Sequence, residues 1–140
     1  MIRYVLLTSA VLLGACAQTP LPPLTESQAR VELDGDVGST VRAYRLDGTP
    51  QWHLRFDDLS AGPHELQVRY EFEIPTGGSV QGVFSSGRRT CIMAVSHAFE
   101  GGQHYRFALA RRGWRPAGWL YDQSGNLLAR ASEVRCGPGV

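Results

Sequence analysis

Few side chains in this sequence can do acid–base, nucleophilic or ligating chemistry: four histidines, three cysteines, thirteen carboxylates and fourteen basic residues, every one arginine. His53, His64, His97 and His104 would have to supply neutral-pH catalysis or metal ligation. None stands in a His-x-x-x-His or His-Glu-x-x-His spacing, and two ligands without a third make a poor metal site. His64 and His97 share parity with apolar residues, and the bland expectation for each is a turn histidine satisfied by backbone, with His97 and His104 flanking one hairpin. Asp57-Asp58 and Glu71/Glu73 are the carboxylate pairs. Acid–base work would need one member of a pair desolvated, and the first reads as a strand end and the second as a wet strand face. The run Gly77-Gly78-Ser79-Val80-Gln81-Gly82 lacks the Gly-x-Ser-x-Gly spacing of a nucleophile elbow. The expectation is therefore a protein without catalytic residues, metal or cofactor.

The segment most suited to recognition is Arg111-Arg112-Gly113-Trp114-Arg115-Pro116-Ala117-Gly118-Trp119-Leu120-Tyr121. Arginine and tryptophan are enriched at binding hot spots, indole faces stack on sugars, and guanidinium groups pair with phosphates. Pro116 cannot donate to a ladder, which places it at an edge or a bulge, and edges accept partners. On this reading Arg111, Arg112, Trp114, Arg115, Trp119 and Tyr121 form a partner-binding surface. The bland alternative makes the tryptophans core or rim residues and the arginines solvated surface. Arg88-Arg89 either adds to such a patch or is simply a loop.

The cysteines set the compartment. Arg3 precedes an apolar run from Val5 to Leu13, about half the length of a spanning helix, and small residues follow. Leu13-Gly14-Ala15-Cys16 resembles the bacterial lipobox. The resemblance implies that residues 1–15 are a lipoprotein signal peptide and that Cys16 is acylated, giving an effectively permanent membrane anchor. Ala17 in place of aspartate implies, by similarity to lipoprotein sorting rules, the outer membrane with the domain facing the periplasm. Cys91 and Cys136 are left as an even pair in an oxidising compartment, which reads as one disulfide. Free thiols or metal ligation are the alternatives.

These residues need elements to hold them. Residues 16–28, with three prolines and little to bury, read as a lipidated N-terminus and flexible tether, and residues 29–140 as one β domain. From His64 to Ile74 apolar and polar residues alternate without a break. Weaker period-two runs lie at Ala29–Leu33, Val41–Leu46, Trp52–Phe56, Val80–Phe84, Cys91–Phe99, Tyr105–Ala110, Trp119–Asp122 and Leu127–Cys136. Turn signals separate them, among them Asp47-Gly48 and Gly101-Gly102. The expected fold is all-β: a small antiparallel β-sandwich or partly closed barrel of about eight strands. Cys91 shares parity with Met93, Val95 and Phe99, and Cys136 with Val134 and Leu128, so both sulfurs should face one core.

Four stretches resemble small bacterial envelope lipoproteins with a PEGA-like β-sandwich domain. They are Leu33-Asp34-Gly35, Leu59 to Tyr70, Phe99 to Phe107 and Gly113 to Asp122. The family pattern is a Pro-Gly-x-His turn feeding an alternating strand, then Gly-x-x-Tyr opening the next. Here the first motif reads Ala61-Gly62-Pro63-His64, with proline after glycine. The resemblance implies a fold and a compartment. A net charge of +1 argues against nucleic acid as partner. The functional expectation is a non-enzymatic accessory or adaptor domain for envelope proteins. A binding module for cell-wall glycan or lipid headgroups, or an inhibitor of a lysozyme-like hydrolase, is the alternative.

Overall fold

The computed structural model describes residues 20–75, 86–138 and 140. These form ten strands: β1 (Gln28–Gly35), β2 (Thr40–Leu46), β3 (Thr49–Pro50), β4 (Leu59–Ser60), β5 (Gly62–Pro75), β6 (Ser86–Phe99), β7 (His104–Arg112), β8 (Arg115–Asp122), β9 (Leu127–Arg130) and β10 (Ser132–Cys136). They make a β-sandwich of two five-stranded sheets, β4-β1-β7-β8-β9 and β10-β6-β5-β2-β3, and not a closed barrel. Every neighbour pairing is antiparallel except β1–β7, which is parallel because the chain entering at Gln28 and the chain entering at His104 start from the same end of the sandwich.

The alternation at His64 to Ile74 is the spine of the second sheet. β5 and β6 pair continuously from Gly62↔Phe99 to Pro75↔Ser86. Leu66, Val68, Tyr70 and Phe72 point inward beside Cys91, Met93, Val95 and Phe99, and meet Val31, Phe107, Leu109 and Leu120 of the first sheet. Period-two alternation with one buried face is what a sandwich strand requires.

Three expected elements change. Trp52–Phe56 is not a strand: the segment runs irregularly past β2, held by Ala43 N–H donating to Leu54 O, with Phe56 buried while Trp52 and Leu54 are exposed. Its alternation is incoherent because only one of its three apolar residues reaches the core. Val80–Phe84 lies outside the described residues. The run Leu127–Cys136 breaks at Ala131, so that β9 closes the edge of the first sheet and β10 the edge of the second. One continuous stretch of chain thereby seams one side of the sandwich. The other side, between β1 and β2, is bordered along its length by the irregular residues 51–58.

The disulfide is present. Cys136 sits directly opposite Cys91 and is bonded to it. The route there differs from simple parity, because Val134 is an extra residue between the pairs Glu133↔Met93 and Arg135↔Ile92. This bulge shifts the phase by one. It leaves Val134 exposed, turns Arg135 outward beside Ile92 and brings Cys136 to the core face.

Asp36 ties the sheets together at the end away from the chain's entry. Its carboxylate accepts from Tyr70 Oη of β5 at 2.7 Å and from the Arg111 amide of β7 at 3.0 Å. Burial, and then the carboxylate itself, hold the Tyr70 phenol far above its ordinary range. Burial alone would raise the Asp36 carboxyl, but the hydrogen bonds it accepts outweigh that and hold it below the usual carboxylate value.

Candidate functional site

The partner surface expected around residues 111–121 is a β-hairpin. β7 and β8 are joined by the two-residue turn Gly113-Trp114, with Arg112 opposite Arg115. Gly113 has φ 63° and Trp114 has no positive φ, the backbone of a type II′ turn, which demands glycine first. Residues flanking such a turn exchange both ladder bonds, so the next pair, Arg111↔Pro116, exchanges none. The Pro116 nitrogen therefore points away from β7, past the end of β9, whose last pairing is Trp119↔Arg130. This corrects the expectation of an edge strand. β8 is interior, and the proline is tolerated because the ladder on that side has already stopped.

Parity sorts the six expected residues. Arg112, Arg115, Trp119 and Tyr121 share the outward face with Arg106, Ala108, Ala110 and Ala117. Trp114 caps the turn with 54% of its surface exposed. Arg111 has the opposite parity, opposite Pro116, and its amide is spent on Asp36. On the outward face the three alanines leave room for long side chains to lie flat. Arg112 stacks over the Trp119 ring at 4.9 Å and Arg106 over Tyr121 at 4.8 Å, and Arg106 also pairs with Asp34 at 3.1 Å. Two aromatic faces are thus already covered. Trp114 is the one exposed aromatic of the hairpin, and no cation is stacked on it among the described residues.

A second constellation escaped the sequence reading. His64 Nδ1 lies 2.6 Å from Asp47 Oδ2, and His64 Nε2 lies 3.2 Å from Ser60 Oγ, which is the connectivity of a Ser–His–Asp triad. Nε2 is also 2.9 Å from the Ser60 carbonyl oxygen, so one ring nitrogen faces both the hydroxyl and the backbone of Ser60. The ring bridges the Asp47 turn to β4, and the group works as a clamp. Asp47 sits at φ 48° in the Asp47-Gly48 turn, accepts also from the Glu65 amide at 2.8 Å, and through His64 fastens that turn to β4. The His64 hydrogen bond, then the Glu65 amide, hold the Asp47 carboxyl below its ordinary value. Asp47-Gly48 and the Ser60–His64 spacing were the available signals, but only the fold brings them together.

His64 and His97 are not turn residues: they lie within β5 and β6, directly opposite each other. His97 packs edge-on against Phe99 and Tyr105. His97 and His104 do not flank a hairpin: β6 and β7 lie in different sheets, and the chain crosses between them over Glu100 to Gln103. Glu71 pairs with Arg42 at 2.9 Å and Asp58 with Arg30 at 2.7 Å, so neither expected carboxylate pair is a proton shuttle. The Arg30 guanidinium holds the Asp58 carboxyl below its ordinary value. No group of three or more histidine, cysteine or acidic residues among the described residues could hold a metal ion.

The unseamed side of the sandwich opens as a cleft of about 1040 Å³, with Val31, Val41, Phe56 and Tyr105 among its apolar walls and the Arg30–Asp58 pair at its rim. Arg30 also donates to the Pro22 carbonyl at 2.8 Å, so the tether leaves the domain here. Trp52, 90% exposed, and Leu54 lie on the segment that borders the same side. In comparisons with known proteins the chain matches no family model, no curated protein and no solved structure.

Proposed function

We propose that this chain is an outer-membrane lipoprotein, anchored through acylated Cys16 and facing the periplasm, that serves as a non-enzymatic accessory or adaptor domain and docks an envelope protein with its β7–β8 hairpin. The observation that carries the docking reading is Trp114, exposed on a two-residue turn between Arg112 and Arg115. An indole presented at low entropic cost and flanked by guanidinium groups has the make-up of a hot spot.

The anchor reading draws support from the other side of the molecule. Pro22, held by Arg30, stands six residues after Cys16, a span of at most roughly 20 Å. An acylated Cys16 would keep the cleft side near the bilayer, where an exposed tryptophan and leucine suit the interface. Glycan recognition on the hairpin face is the weaker reading, because Arg112 covers the Trp119 ring that a sugar would stack on.

The test is a photo-crosslinking residue placed at Arg115 in living cells, with adducts identified by mass spectrometry. One discrete protein adduct, lost when Trp114→Ala is added, is the expected result. Adducts confined to glycan or lipid, or a protein adduct indifferent to Trp114, would overturn the adaptor reading.

A further inference from the structure

The outer face of the second sheet carries an arrangement that the hairpin reading does not use. One row across four strands reads Arg42, Arg69, Ile92 and Arg135, since Arg42 is opposite Arg69, Arg69 opposite Ile92, and Ile92 opposite Arg135. Like charges directly opposite each other destabilise a sheet unless something offsets them. Glu71 is committed to Arg42 at 2.9 Å. Of the other acids on these strands, Glu65 accepts from Gln67, Glu73 lies beyond Glu71, and Glu133 is paired in register with Met93. Among the described residues none of them reaches Arg45, Arg69 or Arg135.

These three guanidinium groups converge instead on Tyr44. Arg45 and Arg69 lie 5.2 and 5.4 Å from its ring centre, and Arg135 Nη2 donates to its hydroxyl at 3.2 Å. Arg69 Nε is shielded from solvent and finds no acceptor among the described residues. A shielded donor on a charged group is costly to leave unmade, and here its neighbours are further cations. Bulges frame the cluster on both sides. Tyr44 is the extra residue between Ala43 and Arg45, and Val134 the extra residue before Arg135. Bulges re-aim side chains, and the one at Val134 turns Arg135 from the core to this face. Cys136, the next residue, is pinned by the disulfide, which fixes the strand that bears Arg135.

We infer that this face is a binding site for a phosphoryl group, with Arg69 and Arg135 as its ligands, Arg45 adding charge and the Tyr44 hydroxyl free to donate. The two ligating guanidinium groups match the charge of a phosphate dianion, Arg45 adds a third positive charge beside them, and guanidinium forks match the spacing of its oxygens. The same chemistry is offered by free phosphate and by a lipid headgroup. The inference stands whether or not Cys16 is acylated.

Thermal unfolding of the full-length chain tests it, with inorganic phosphate set against chloride at equal ionic strength. Above its Kd, phosphate should raise Tm by about 4–8 °C for each tenfold increase, a shift that chloride does not give. Arg69→Gln should abolish that response, and in phosphate-free buffer of low ionic strength it should melt no lower than the parent, because it removes a repelled cation. Arg88→Gln should leave the response intact. Should Arg69→Gln not fold, Arg135→Gln takes its place. A second arm uses dihexanoyl phosphatidic acid below its micelle concentration. A larger shift than with inorganic phosphate identifies a lipid headgroup as the source, and an equal shift identifies the phosphoryl group alone. No shift beyond chloride in either arm, or the same shift in parent and Arg69→Gln, overturns the site.

Discussion

The two lateral sides of the sandwich are closed in different ways. On one, the chain steps from β9 to β10 through Ala131, whose amide donates to the Gly118 carbonyl at 2.9 Å, and the Cys91–Cys136 disulfide locks the step. On the other, β1 and β2 are bridged by residues 51–58, the buried Phe56 and Leu59, and the Arg30–Asp58 pair. The first seam is a close-packed strand-to-strand step whose second strand is bonded to its sheet neighbour by the disulfide, and the second leaves a cleft where the tether departs. A seam built from a running strand needs register and volume to be right. A seam built from a loop needs only a few anchors, and so can carry exposed side chains such as Trp52 and Leu54.

The largest effect should come from the closed seam. Replacing Cys91 and Cys136 together by serine releases a loop spanning 45 residues, worth about 4 kcal/mol in the chain-entropy model. Chemical denaturation should show a loss of that size, and reduction of the parent should reproduce it. A loss under about 1 kcal/mol would mean that strand pairing alone holds β10. At the open seam, Phe56→Ala should cost about 3 kcal/mol, the low end for a buried phenylalanine because the neighbouring cleft already gives its surroundings room to relax. If it costs no more than a surface substitution, the 51–58 segment is not anchored through Phe56.

Legibility in the sequence follows the same division. The closed seam could be read in outline, because cysteine parity and period-two alternation are local signals. What escaped there was phase: no residue type announces the bulge at Val134, and without it Cys136 would face outward. The open seam was misread, because Trp52, Leu54 and Phe56 mimic a strand at period two while only Phe56 finds the core. The hairpin lies between these cases. Pro116 signalled an edge or a bulge where the structure has a local ladder gap beside the Gly113-Trp114 turn, and whether Trp119 was bare or covered depended on Arg112 crossing the small Ala110 and Ala117, a diagonal contact that one-dimensional spacing does not show. The Asp47–His64–Ser60 clamp joins two turns and had no single-segment signature at all.

Gly118 sharpens the contrast at the next size down. A Cβ there would come within 2.7 Å of Leu109 Cδ1 and 2.9 Å of the Ala131 Cβ, where the chain crosses between sheets. Gly118→Ala should therefore cost about 1–3 kcal/mol by overpacking the closed seam. An unchanged Tm would show that the crossing has slack.

Acid should probe the anchors that are not covalent. The carboxyls of Asp36, Asp47 and Asp58 are all held below their ordinary values in the folded chain. A depressed folded pKa gives stability that is complete above about pH 5, clear of the unfolded carboxyl range, and is lost as the pH falls through the lower folded values. Tm should be flat from pH 7 to about pH 5 and then decline. Asp122, held down by the Asn126 side chain and amide, adds a fourth such carboxyl. Asp58→Asn should lower the plateau by about 1 kcal/mol and flatten the decline, since it removes one of the four groups that drive it. A decline unaltered by Asp58→Asn would assign the acid sensitivity to the other three.

The smallest effect on stability is expected where the largest effect on binding is proposed. Trp114 belongs to neither seam. It stands on its turn with more than half its surface in water and with no stacked cation among the described residues, so Trp114→Ala should change stability by less than about 0.5 kcal/mol. Trp119→Ala should cost more, because the ring is half-buried and carries the Arg112 guanidinium. If Trp114 is a docking residue, its alanine variant keeps the Tm of the parent and loses the partner adduct formed at position 115. If instead Trp114→Ala destabilises the chain as much as Trp119→Ala, the indole is packing the hairpin, and the exposed surface that made it a candidate is not available to a partner.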